Sequence, residues 1–325
     1  MGPPPGSRES IAVNFSSMEY FIALAEERSF TRAAQRLMVT QQTLSAHIAG
    51  IERELGVRLV NRKVPLTLTY AGDVLLSYAR RIETDRRAME QEFADIAGDA
   101  QGLLGVAIAS TRGRLLMPPA IAAFRERKPG VRVLIEEEEN EELIEALREG
   151  RVDMAVATIP PSAAGLEVRL LRTEQIVLLV SWTLLRSLYG ERAEAVVEEV
   201  RRSRSLAALE GCPFLLLRRH DEPGDLSRRL LEEAGLEGEA TVLSSNSETL
   251  VELALRHVGA TFVPHDLAQA MVGTGESHAM CVIDLGPDAR IDIHVAWRSS
   301  SHVWSVIEDF ADLLAEQVAQ AEEAQ

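Results

Sequence analysis

The stretch from Phe30 to Gly72 decides how the whole chain is read. It contains Phe30-Thr31-Arg32-Ala33-Ala34, then Val39-Thr40-Gln41-Gln42-Thr43-Leu44-Ser45, then Ile51-Glu52-Arg53-Glu54-Leu55-Gly56-Val57. It closes with Arg62 and Leu68-Thr69-Tyr70-Ala71-Gly72. Leu44, Ile48, Ile51 and Leu55 follow one another at helical spacing, which makes one buried face. Thr40 is placed to cap that helix and Gly56 to end it. Gln41, Gln42, Thr43, Ser45 and His47 fall off the apolar face near its start. Such amide and hydroxyl side chains suit base edges and phosphates, and Gln can bond adenine bidentately. Taken alone, they read as a polar, solvated helix face. Thr31–Leu37 forms the preceding helix, its small Ala33-Ala34 pair admitting a close neighbour, with Met38-Val39 as the turn. Leu59–Leu68 then forms a two-stranded wing carrying Arg62 and Lys63 near its tip. The pattern is a winged helix-turn-helix, an all-α unit with a small wing.

Upstream, Ser16 and Glu19 fit a capping box, and Phe15 and Tyr20 a hydrophobic staple. Residues 1–15 read as a flexible tail and 16–72 as the helix-turn-helix domain. Downstream, a helix opens near Thr69 and runs to Ile96 or beyond. Leu75, Ile82, Met89 and Ile96 recur every seven residues, as do Ala79, Arg86 and Phe93. These are the d and a positions of a heptad, interrupted by Arg86. Residues 73–102 thus read as a dimerising linker helix with a hinge at Gly98–Gly102. A long helix lying on its own domain's core is the alternative.

From Leu103 the pattern becomes α/β. Strands over Leu103–Ala109, Val131–Ile135 and Asp153–Ala157 alternate with helices over Leu115–Arg127 and Glu141–Arg148, which predicts a parallel sheet. A strand at Ile176–Ser181 and one charged helix over Thr183–Arg202 follow. The alternation then continues to strands at Met280–Leu285 and Ile291–Trp297, a closing helix over His302–Val318, and a frayed tail at 319–325. Two lobes are expected, 103–178 with 282–318 and 179–281, together residues 103–318. Ligands of such sheets bind beyond the carboxyl ends of the strands. That singles out Ser110, Thr111 and Thr158 in one lobe and the Ser244–Ser247 loop in the other. The acidic run Glu136–Glu139 reads as a solvated face.

A length of 325 residues implies two or three domains. With no apolar run near 18 residues, no membrane span is expected. The start lacks the apolar core of a signal peptide, so the expected location is cytoplasmic. The net charge of −16 is unevenly spread. Residues 101–325 hold 22 basic against 37 acidic groups, whereas 18–72 hold seven against five. Cys212 and Cys281 lack metal-ligand spacing. Two buried, reduced thiols are the plain reading and a redox-sensing pair the sharper one. The catalytic patterns G-x-S-x-G, H-E-x-x-H, P-loop and G-x-G-x-x-G are absent, so neither an enzyme nor a cofactor is expected.

Ser29-Phe30-Thr31, Ala33-Ala34, Leu37, Val39, Gln41, Leu44-Ser45, Ile48, Glu52, Leu55-Gly56, Leu59, Arg62, Leu68-Thr69 and Ala71-Gly72 together resemble the LysR-type transcriptional regulators. The likeness continues more thinly through Leu103–Gly105, Pro118, Phe124, Pro129, Leu147, Gly150, Asp153, Gly211, Phe214, Gly259 and Pro264. It implies a winged helix-turn-helix, a linker helix and a two-lobed effector domain like a periplasmic binding protein. It further implies dimers paired into tetramers, a dyad operator on double-stranded DNA, RNA polymerase as a further partner, and a small coinducer between the lobes. By position, Thr40, Gln41, Gln42, Thr43, Ser45 and His47 would face DNA, with Arg62 and Lys63 on the wing. Ser110, Thr111, Thr158, Asn246, Ser247 and Phe262 would line the effector cleft. Leu75, Ala79, Ile82, Met89, Phe93 and Ile96 would pair the chains. Hydroxyls near helix starts make a small carboxylate the expected ligand. Four features depart from the family: Val60 replaces a common Phe, His257 stands where Gly commonly precedes Val258-Gly259, Ala46 leaves the recognition helix without a basic residue often seen nearby, and the Thr183–Arg202 segment is longer than usual, as an insertion in the second lobe would make it. A regulator switched by oxidation of Cys212 and Cys281 is the alternative function, and a solute-binding protein is a more distant one.

Overall fold

The computed structural model describes residues 14–63, 65–98, 101–218, 222–236, 240–276, 279–300 and 302–323. Nearly all of the expected N-terminal tail lies outside them. The chain divides into two units near residues 99–100.

In the first unit, α1 (Phe15–Glu27) begins after Asn14, whose Oδ1 accepts the Ser17 N–H at 3.0 Å. The cap is thus Asn14 rather than the expected Ser16, and Phe15 is exposed rather than stapled. Helix α2 (Phe30–Arg36) is capped by Ser29. Helix α3 (Gln41–Leu55) is capped by Thr40, which accepts the Thr43 N–H at 3.1 Å, and ends at Gly56 with φ of 70°. Strands β1 (Val60–Asn61) and β2 (Thr67–Leu68) pair antiparallel as the wing. Phe21, Leu24, Ala34, Leu44, Ile48, Ile51 and Leu59 form the core of this unit. Val60, the departure at the wing root, is also buried in it.

Helix α4 (Tyr70–Ala97) is capped by Thr69. Its 28 residues reach about 42 Å at the usual rise. Its first turn passes the wing so closely that a Cβ on Gly72 would stand 2.2 Å from the Leu59 carbonyl oxygen. Only glycine fits there.

In the second unit, β3 (Gly102–Ile108), α5 (Ser110–Arg127), β4 (Val131–Glu137), α6 (Asn140–Arg148) and β5 (Met154–Ala157) build the predicted parallel sheet in the order β4-β3-β5. Helix α5 starts five residues earlier than expected and runs through Pro118-Pro119. Strand β6 is the main correction. It spans 16 residues, Leu166–Ser181, where only its last six were expected. Charges at Glu167, Arg169, Arg172 and Glu174 hide its first part from an apolar pattern search.

The expected single helix Thr183–Arg202 is two: α7 (Trp182–Tyr189) and α8 (Ala193–Ser203). They part at a 3-10 turn, where Gly190 takes φ of 58°. Then come β7 (Phe214–Leu217), α9 (Glu222–Glu233), β8 (Val242–Ser244), α10 (Ser247–Leu255), β9 (Ala260–Pro264), α11 (His265–Glu276), β10 (Met280–Asp284), β11 (Arg290–Arg298) and α12 (Ser305–Glu323). Helix α12 continues to Glu323, where a frayed tail was expected from 319.

Residues 166–175 of β6 pair with β11, and residues 176–181 pair with β9 and β10. One continuous strand therefore serves both lobes. The chain passes between them at Gln175–Ile176 and returns between Asp284 and Arg290.

Candidate functional site

Two regions carry the chemistry: the exposed face of α3 with the wing, and the cleft between the two lobes. On α3, Gln41, Gln42 and Thr43 are exposed while Leu44, Ile48 and Ile51 are buried, so the helix presents its polar face outward. Ser45 is half-buried. The Thr40 and Thr43 hydroxyls lie 2.8 Å apart. His47 is not a free reading residue. It is half-buried, with its ring edge-on to Tyr20 of α1 at 4.8 Å.

Arg62 is exposed but held. It pairs with Glu52 of α3 at 3.2 Å and lies over the Phe30 ring at 5.6 Å. Glu52 also accepts the Leu59 N–H at 2.9 Å, so one carboxylate ties α3 to the wing. Lys63, beside Arg62, is exposed. Arg32 and Arg36 pair with Glu26 and Glu27 of α1, which lowers the positive charge that this unit presents.

The heptad residues of α4 split into two groups. Leu75 packs on the winged-helix core and Ala79 is fully buried, so these two serve the chain's own packing rather than an exposed seam. Ile82 is half-buried. Met89, Phe93 and Ile96 are 49%, 63% and 74% exposed. Arg86, the interruption, is neutralised within its own helix by Glu83 at 2.6 Å and by Glu90. The hydrogen bond to Glu83 raises its pKa.

In the second unit, the first turns of α5 reach across to the other lobe. Arg112 is buried against Glu174 of β6, at 3.2 Å. Arg172 of β6 pairs with Asp266 of α11 in turn. Arg114 pairs with Glu248 of α10 at 2.7 Å. The first turns of α5 and α10 are thereby brought together, and with them the neighbourhoods of Ser110, Thr111, Asn246 and Ser247. Ser110 is exposed at an α5 start that has no side-chain cap bond. Asn246 caps α10, its Oδ1 accepting the Thr249 N–H at 2.9 Å, and Ser247 is buried. Phe262 is a correction: it is buried in the core, stacked on Phe214 at 6.1 Å, and is not a cleft wall.

A cavity of about 580 Å³ opens at the carboxyl end of β5. Thr158 and Ile159 line one side, and Thr173 of β6 another. Arg290, Asp292 and His294 of β11 and Glu222 at the start of α9 complete its polar wall. Of the six expected cleft residues, only Thr158 lines this cavity. Both backbone groups of Thr158 are clasped by the Asn140 side chain, at 2.9 and 3.0 Å. Sequence reasoning missed Arg290, Asp292 and His294. Their signal was the polar i, i+2, i+4 spacing opposite Ile291 and Ile293. Among the described residues no group of His, Cys, Asp and Glu is placed to hold a metal ion. No described helix is long and apolar enough to cross a membrane.

A winged helix-turn-helix joined to a two-lobed α/β domain with a polar cleft defines a DNA-binding transcriptional regulator with an effector-binding domain. The comparisons agree. Residues 15–73 match the model of the bacterial regulatory helix-turn-helix proteins of the lysR family, and residues 97–319 match the LysR substrate binding domain. The chain belongs to the LysR family, a family of regulators and not of enzymes, whose members bind small-molecule effectors. It is 27% identical to the hydrogen peroxide-inducible genes activator of Haemophilus influenzae over 313 residues, 94% of this chain and 97% of that one. Among solved structures it resembles a full-length OxyR variant from Pseudomonas aeruginosa, with TM-score 0.66 and 23% identity. That match covers 93% of this chain and 94% of the other. Full-length CbnR, solved with its target DNA, gives TM-score 0.63 and 24% identity over 94% of this chain and 99% of that one. These likenesses show a shared fold.

Proposed function

We propose that this regulator reads a dyad operator as a dimer or tetramer, and that a small molecule bound between its two lobes switches it. The supporting observation is the cavity beside β6 and β11, the strands at which the chain passes between the lobes. A ligand there contacts both lobes and shifts their arrangement only through its differential affinity for the two states. Arg290 on the cavity wall favours a carboxylate on the ligand. Gln41, Gln42, Thr43 and Ser45 contact base edges, Lys63 and Arg62 contact phosphates, and half-sites lie about 34 Å apart or a multiple of that. The protein acts in the cytoplasm and engages RNA polymerase at the promoter.

Footprinting of the full chain, with and without candidate effectors, tests this reading. Protection of a dyad that changes with an effector supports it. A footprint that no small molecule alters overturns it.

The name of the Haemophilus relative favours a second reading, in which oxidation of Cys212 and Cys281 is the switch. The environment of both thiols weighs against it. Both are buried, and burial pushes their pKa values up to about 12 and about 11. A reactive thiol needs the reverse, a lowered pKa and access.

A further inference from the structure

We infer that the cleft takes an amino-acid-like zwitterion, a ligand carrying both an ammonium and a carboxylate. This rests on the reading of the cleft as the effector site and specifies its ligand chemistry. On β11 the lining of the 580 Å³ cavity carries a guanidinium, Arg290, and a carboxylate, Asp292. A ligand with only a carboxylate answers Arg290 and sets a like charge beside Asp292. A zwitterion meets both signs.

The positions match the ligand's span. Arg290 and Asp292 are two residues apart on one face of β11, about 7 Å along the strand. An α-amino acid whose carboxylate meets Arg290 and whose ammonium meets Asp292 fills that distance with one contact at each end. Thr173 donates to Asp292 at 2.7 Å, which holds the carboxylate in place and leaves it further acceptor capacity. Arg290 is steadied by Gln175, which accepts from its Nε at 3.0 Å and leaves the terminal nitrogens for a carboxylate.

A second, independent observation lies at the deep end of the same wall. His294 is only 6% exposed, and its Nδ1 has no hydrogen-bond partner. A buried polar atom without a partner is costly to the fold, and in a site it marks where a ligand's polar atom belongs. The ligand therefore carries a polar side chain, reaching His294 from the end held at Asp292. A volume of this size admits any such amino acid.

The test is thermal-shift and calorimetric binding on the full chain. The panel holds the polar amino acids, their deaminated acids and their decarboxylated amines. One or more amino acids should bind at least tenfold more tightly than either matched analogue. The Asp292→Asn variant should erase the preference over the deaminated acid, and His294→Phe should weaken polar amino acids more than alanine. Asp292 is exposed, so the first variant folds. A carboxylic acid that binds as tightly as its amino acid overturns the zwitterion but leaves the ligand switch intact. Amino-acid binding indifferent to Asp292→Asn, or no response to any amino acid, likewise overturns it. Footprinting against other effectors tests the switch separately.

Discussion

Arg112 of α5 and Glu174 of β6 form an ion pair at 3.2 Å with both side chains buried. The pair joins the helix that opens the cleft to the strand that links the lobes. Removing one partner leaves an uncompensated buried charge, which costs about 3–5 kcal/mol. Glu174→Ala should therefore lower the urea midpoint sharply. The double variant Arg112→Met with Glu174→Leu should recover most of that loss. If the double variant is as unstable as the single one, packing and not charge governs the site.

Glu52 holds the wing through Arg62 and the Leu59 N–H. Glu52→Ala should cost about 1–2 kcal/mol, the price of an orphaned buried N–H. Operator affinity should fall while ligand binding to the second unit stays unchanged. Gel-shift titration beside calorimetry separates the two, and a loss of both would point to general unfolding.

Met89, Phe93 and Ile96 form an exposed apolar stripe on α4. If that stripe pairs two chains, Phe93→Glu should shift the sedimentation profile toward smaller species and weaken dyad binding far more than half-site binding. An unchanged profile would remove α4 as the pairing element.

His257 has φ of 63°, the left-handed conformation that its departure from the family's glycine foreshadowed. A side chain there costs roughly 1–2 kcal/mol, and glycine's freedom in the unfolded chain offsets part of the relief. His257→Gly should raise the Tm by a few degrees. A fall in Tm would mean that the imidazole makes up for its backbone.

Burial raises the pKa of the Cys212 and Cys281 thiols to about 12 and about 11. At pH 8 both should resist iodoacetamide in the folded chain and react once it is unfolded. The unfolded thiols ionise first, so folding stability is intact below about pH 9 and declines as pH rises through the folded values. Cys212→Ser and Cys281→Ser should leave any response to peroxide unchanged. Loss of such a response in either variant would revive the redox reading.

Local patterns in the amino-acid order determined much of this protein. The apolar spacing of Leu44, Ile48 and Ile51, with Thr40 and Gly56 at the ends, specifies α3 without help from distant residues, and α3 formed as expected. The strand–helix alternation after Leu103 likewise specifies the parallel sheet, because each element must bury one apolar face. Tertiary structure decided what depends on partners distant in sequence. Strand β6 carries charges that look exposed until Arg112 reaches Glu174 across 62 residues and Asp266 reaches Arg172 across 94. Phe262 looked like a cleft residue until Phe214 stacked on it. Thr158 met the cleft only when β11 delivered Arg290, Asp292 and His294 beside it. Helix formation is decided by neighbours three and four residues apart, whereas a binding site is decided by which strand ends converge in space.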